Sequence, residues 1–174
     1  MIFAIIIAAI AAFLYYVARK PDSFSLQRQI SINALPADIY PWINNLKNMN
    51  QWNPWSTQDA KSVIVYEGPE EGPGAVYTWS GGNMGQGKFQ IVDSNSTQIN
   101  CRLLMIKPMA ADNVVRFNLT PTSGPTTVSW SMSGKNGFIN KLMHTVMNMD
   151  KMVGRDFDKG LVSLKSLVEQ KKLH

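Results

Sequence analysis

The chain has 174 residues, of which 45% are hydrophobic and 17% charged, and its formal charge is +5 with a pI near 9.4. That length fits one domain with a core that needs no metal or disulfide, and the composition excludes a disordered chain, a coiled coil and a multi-span membrane protein. Cys101 is the sole cysteine and there are two histidines. An intrachain disulfide is therefore excluded, the about four soft ligands of a structural zinc site are missing, and neither metal nor cofactor is expected. The mildly basic balance suits a protein near anionic lipid and is too diffuse to indicate nucleic acid.

Residues 2–17 read IFAIIIAAIAAFLYYV, an uncharged run from Ile2 to Val17, Phe13 included, with no helix breaker. Such a helix spans about 24 Å, against roughly 30 Å for a hydrocarbon core. Tyr15 and Tyr16 suit the headgroup level. Arg19 and Lys20 stop the run, and Pro21 follows. The pattern predicts a transmembrane anchor over 1–18 with membrane lipid as its partner, a basic linker over 19–23 and one domain over 24–172. A cleaved signal peptide is the rival reading, but the basic n-region is missing and bulky residues occupy the stretch where small ones precede a cleavage site. Arg19, Lys20 and Arg28 all follow the apolar run, so the positive-inside rule predicts a single-pass protein with its globular part on the cytoplasmic side.

Period-2 patterns then dominate. Phe24, Leu26, Ile30 and Ile32 alternate with polar residues, interrupted by Arg28. Pro36 begins a short helical stretch, in which Pro41 is expected to cause a break or kink. Strands are predicted over 62–67, 75–80, 88–93, 98–106, 113–120 and 126–133, separated by Gly-, Pro- and Asn-rich turns. Connections this short favour an antiparallel meander. From Phe138 the period changes. Leu142, Val146, Met149, Val153, Phe157, Leu161, Leu164 and Val168 form one stripe of a long helix. Gly154 and Gly160 within it either permit close packing or mark a bend. The predicted class is α+β, a curved antiparallel sheet of seven strands covered by a long terminal helix.

The stretch SLQRQISINALPADIYPWINNLKNMNQWNPW resembles the opening of polyketide cyclase/dehydrase-like proteins of the START/Bet v 1 superfamily. The matching positions are Ile32, Ala34, Pro36, Ile39, Tyr40, Trp52 and Trp55. GAVYTWSG, the strand start at Gly85 and Gly87, and VSWSMSG followed by the terminal helix extend the similarity over roughly residues 24–170. The resemblance implies a helix-grip fold whose cavity holds a hydrophobic small molecule or lipid. The superfamily also includes cyclases and partner-binding regulators of a chaperone ATPase. No catalytic signature carries over to a numbered residue.

Among the candidate motifs, residues 82–88 match G-x-x-x-x-G-K, but Phe89 and a strand follow where a phosphate loop needs Ser or Thr and a helix. His144 and Asp150 stand six residues apart and point to different helix faces. Neither Ser nor Cys has a recognisable base beside it. Tyr77 and Trp79 share one strand face, as do Phe117 with its neighbours at 115 and 119, and Trp130 with Met132. Together with Met147 near the helical stripe they are the expected lining of an apolar pocket, since thioethers fill irregular gaps; otherwise they form an ordinary core. Met143 and Met152 add to this adaptable surface. Trp52 and Trp55 either form a mouth or anchor the short helices. Arg28 either points a guanidinium into the cavity, to hold an anionic head group, or is exposed at a bulge. Arg102 and Arg116 are expected in solvent. The reading is a membrane-anchored binder of a lipid or other apolar small molecule. Its rivals are a cyclase- or dehydratase-like enzyme and a regulatory module that binds a protein partner through the sheet, with a filled core.

Overall fold

A computed structural model describes residues 1–58, 61–82, 85–147 and 149–171 of the chain, apart from the side chains of residues 57, 58, 149 and 150. Asn83 and Met84 of the glycine-rich stretch, the side chains of Met149 and Asp150, and the end of the expected domain at residue 172 lie outside the described residues. Helix α1 (Ile2–Ala18) has 17 residues. Every one of them is exposed except Val17, which is fully buried. Among the described residues no helix is long and apolar enough to cross a membrane. The expected transmembrane span is therefore not supported, because a helix of this length covers only about 25 Å.

Strand β1 (Ser23–Ile32) leads into helices α2 (Pro36–Asn44), α3 (Leu46–Met49) and α4 (Pro54–Gln58). Pro41 sits inside α2 without ending it; the helix stops at Asn45, whose side chain accepts from the backbone N–H groups of Lys47 and Asn48 and so starts α3. The meander follows as β2 (Val63–Glu67), β3 (Val76–Ser80), β4 (Gln86–Asn95), β5 (Gln98–Lys107), β6 (Ala111–Pro121) and β7 (Thr126–Lys135). The sheet has seven strands in the order β1-β7-β6-β5-β4-β3-β2, and every pairing is antiparallel. Alternation decides which side chains face inward: Val115, Phe117 and Leu119 are buried while Val114 and Arg116 are exposed. On the outer face Arg102 pairs with Asp112 through bonds of 2.9 and 2.6 Å, and Arg116 donates to Asn100.

The terminal helical region is two helices, not one. Helix α5 (Phe138–Val146) ends at Met147, which is extended at φ −111° and ψ 124°, and α6 (Met149–Lys171) follows. The interruption lies at neither glycine. Gly160 instead lets α6 approach the sheet, since a Cβ there would come within 2.9 Å of the Trp130 ring and 3.0 Å of Pro54. Phe157, Leu161, Leu164 and Val168 carry the inward stripe of α6 and are buried against the sheet's inner face.

Candidate functional site

A cavity of about 440 Å³ lies between the inner face of the sheet, the α3–α4 region and the first turns of α6. Its floor comes from strand residues of one parity: Tyr77 and Trp79 on β3, Leu103 and Met105 on β5, Val115 and Phe117 on β6, Trp130 and Met132 on β7. Its roof is formed by Met49, Trp52 and Trp55 from the short helices and by Val153 and Phe157 from α6. Two aromatic groups hold these walls. Trp130 stacks on Phe157 with ring centroids 4.0 Å apart, and Trp52 and Trp55 meet Trp130 edge-on at 5.5 and 5.7 Å. Across the floor Tyr77 stacks on Phe89 at 5.4 Å. Such offset and edge contacts are favourable beyond simple burial, so the walls are stiff where aromatic and adaptable where Met105 and Met132 lie.

Few polar atoms reach this space. Asn53 donates to the Tyr77 hydroxyl at 3.5 Å, and Trp52 spends its indole N–H on the Trp42 carbonyl at 2.8 Å. Burial raises the Tyr77 phenol well above its ordinary range, with Cys101 and Tyr66 adding to the effect and Asn53 opposing it. Tyr77 is therefore a neutral hydroxyl at physiological pH. Burial likewise pushes the Cys101 thiol up, so it carries no thiolate. The Trp130 Nε1 is buried with no hydrogen-bond partner among the described residues. Leaving such a donor unpaired costs about 1–3 kcal/mol. No group of three His, Cys, Asp or Glu side chains that could hold a metal ion occurs among the described residues.

A second chamber of about 290 Å³ adjoins the first. The two share a wall made by Met105, Pro108, Asn113, Met132 and Val153. Its remaining sides are Phe24 to Leu26 on β1, Asn140 and His144 on α5, and the turn at Met109. His144 meets the Phe24 ring edge-on at 5.5 Å. Partial burial, with the nearby Lys20 ammonium, holds its imidazole below the usual histidine pKa.

Of the expected lining, Tyr77, Trp79, Phe117, Trp130 and Met132 converge on the main cavity. Met147 does not: it terminates α5 in an extended conformation and is exposed, as is Met152. Arg28 does not reach the cavity either. Its guanidinium lies over Gly154 of α6, with Nε 3.6 Å from an Asp158 carboxylate oxygen and Nη1 donating to the Gln27 carbonyl. The absent side chain at Gly154 makes that seat, and the arginine lies between sheet and helix, not at a bulge. Trp52 is fully buried and so forms no mouth; it and Trp55 pack in the cavity's roof against Trp130. Asn53 and Asn113 were not expected in the site. Asn113 shares the inward parity of 115, 117 and 119, so the signal was present and masked by its polarity; nothing in the sequence distinguishes Asn53.

The family model "Polyketide cyclase / dehydrase and lipid transport" matches residues 23–169. The chain belongs to that family. No curated protein matches the sequence. Among solved structures, the protein MLL2253 from Mesorhizobium loti is similar, with a TM-score of 0.63 at 12% identity over 84% of this chain and 98% of that one. Norcoclaurine synthase from Thalictrum flavum, solved with dopamine and hydroxybenzaldehyde, gives 0.64 at 11% identity over 85% and 87%. The Aha1 dimer from Colwellia psychrerythraea gives 0.56 at 17% identity over 84% and 96%. At these identities the likeness concerns the fold.

Proposed function

We propose that the chain binds a lipid or another apolar small molecule in the main cavity, while α1 seats it in a membrane with the globular part on the cytoplasmic side. The observation that carries the ligand reading is the cavity itself. Its volume of about 440 Å³ falls within the roughly 300–1,000 Å³ of small-molecule sites, and its walls are almost wholly apolar. The unpaired Trp130 Nε1 favours a ligand that presents an acceptor oxygen. A cyclase or dehydratase has less support, because Tyr77 is the one titratable side chain among the described residues lining the cavity. A partner module with a filled core has less support because the space is not filled. For α1, all-round apolar exposure supports lipid contact. Arg19 and Lys20 after it support the orientation.

Native mass spectrometry of the full chain, extracted from cells in mild detergent, tests the ligand reading. We expect a co-purifying apolar molecule at one-to-one stoichiometry, and its loss in Leu103→Trp, which fills the cavity. A folded wild-type chain carrying nothing more than the filled variant would refute it. Protease added outside intact spheroplasts should leave the globular part uncut; cleavage there would reverse the orientation.

A further inference from the structure

We infer that α5 and the turn at Met109 rest on the lipid surface, so that the second chamber is a vestibule through which ligand passes directly between bilayer and cavity. This rests on the proposed membrane attachment and apolar-ligand reading. Helix α5 has two working faces. Asn140 and His144, four residues apart, look into the chamber. Ile139, Leu142 and Val146, spaced by three and four, form an apolar stripe turned away from it. Ile139 is 64% exposed and Val146 71%. Phe138 at the start of the helix, and Met109 in the turn that lines the chamber, are exposed as well. Among the described residues, these apolar side chains border the chamber uncovered.

The rim is continuous with the lipid-seeking helix. The Lys141 ammonium, itself buried, donates to the Ala18 carbonyl at 3.1 Å and pairs with Asp22, which fastens the end of α1 to α5. Val17 is buried at that junction. A membrane that holds α1 thus lies beside α5. The remaining charge fits an anionic lipid surface: Arg19, Lys107 and Lys135 are exposed, whereas the buried Lys141 is already matched by Asp22. The shared wall between the chambers consists partly of Met105, Met132 and Val153. Unbranched thioether side chains change rotamer at little cost, so this wall can open without moving the sheet.

The full chain, reconstituted into phosphatidylcholine–phosphatidylglycerol vesicles, provides the test. Flotation first reports attachment; a chain that fails to float refutes the attachment reading and this inference with it. An environment-sensitive fluorophore is then placed at Ile139→Cys, or at Val63→Cys on the opposite edge of the sheet, with buried Cys101 protected from the reagent. Spin-labelled lipid should quench the probe at 139 and spare the probe at 63. Equal quenching at both sites, or none at 139 in floated protein, overturns the inference whether or not the cavity binds ligand. In the double variant Ile139→Asp/Val146→Asp, uptake of N-phenyl-1-naphthylamine from vesicles should slow several-fold, with the amount bound at equilibrium unchanged. Unchanged uptake would overturn the vestibule. If even the wild type takes up no more probe than Leu103→Trp, the ligand reading fails, and the quenching result still stands or falls by itself.

Discussion

Gly154 and Gly160 sit in one helix, and their replacement by alanine should have opposite effects. An added methyl at Gly160 meets the Trp130 ring at 2.9 Å and Pro54 at 3.0 Å, neither of which can swing aside. Overpacking of about 1–3 kcal/mol then outweighs the roughly 1 kcal/mol that alanine adds to a helix. Gly160→Ala should lower the denaturant midpoint. At Gly154 the methyl meets the end of the Arg28 side chain, which can move out at the loss of a half-exposed ion pair. Such pairs contribute little, so Gly154→Ala should be neutral or stabilising in the same measurement. His144 adds a pH dependence. Its folded-state pKa lies below the unfolded value of about 6.5, because of partial burial and Lys20. Below that pH the unfolded chain takes up the proton more readily, so stability should fall as pH drops through and beneath 6.5 and stay flat above it. His144→Gln should remove that part of the slope in thermal melts at stepped pH.

Between elements, the junction of α1 with α5 depends on Lys141. Replacing it with methionine leaves the Ala18 carbonyl and Asp22 without their cation. Limited trypsin digestion after Arg19 or Lys20 should then be several-fold faster, while the sheet and its melting transition persist. An unchanged digestion rate would show that Val17 packing alone holds the junction. The strands were legible to within a few residues, because alternation and turn chemistry are local properties: 126–133 became Thr126–Lys135. The interruption between α5 and α6 was not. Met147 is apolar, and the stripe keeps its steps of three and four across the break, so no residue there marks it. The persistence of α2 through Pro41 was equally hidden, since proline reports a lost hydrogen bond and not whether the surrounding packing outweighs it.

Across the molecule, the cavity was readable to the extent that strand parity assigns side chains to one face. Tyr77, Trp79, Phe117, Trp130 and Met132 came from that rule. Arg28 could not, because its seat is created by a glycine more than a hundred residues later. If the cavity takes a ligand, binding must stabilise the fold: at a hundredfold excess over Kd the gain is about 2.7 kcal/mol. The melting temperature should rise with apolar ligand in the wild type and not in Leu103→Trp. Trp130→Ala should cost about 3–5 kcal/mol and also weaken ligand binding; a loss of stability with affinity intact would assign Trp130 to the core alone.

The sheet order carries a consequence for biosynthesis. Strand β1 pairs with β7, Ser23 opposite Lys135, and otherwise forms the sheet's edge. During translation β1 leaves the ribosome early and finds its partner only after the whole meander has been made. At about 5–20 residues per second that interval is roughly 5–20 seconds. Throughout it, the apolar α1 is already out while the domain beyond it cannot close. If α1 engages a membrane, it can therefore do so on a nascent chain whose sheet is still incomplete, before the domain has folded.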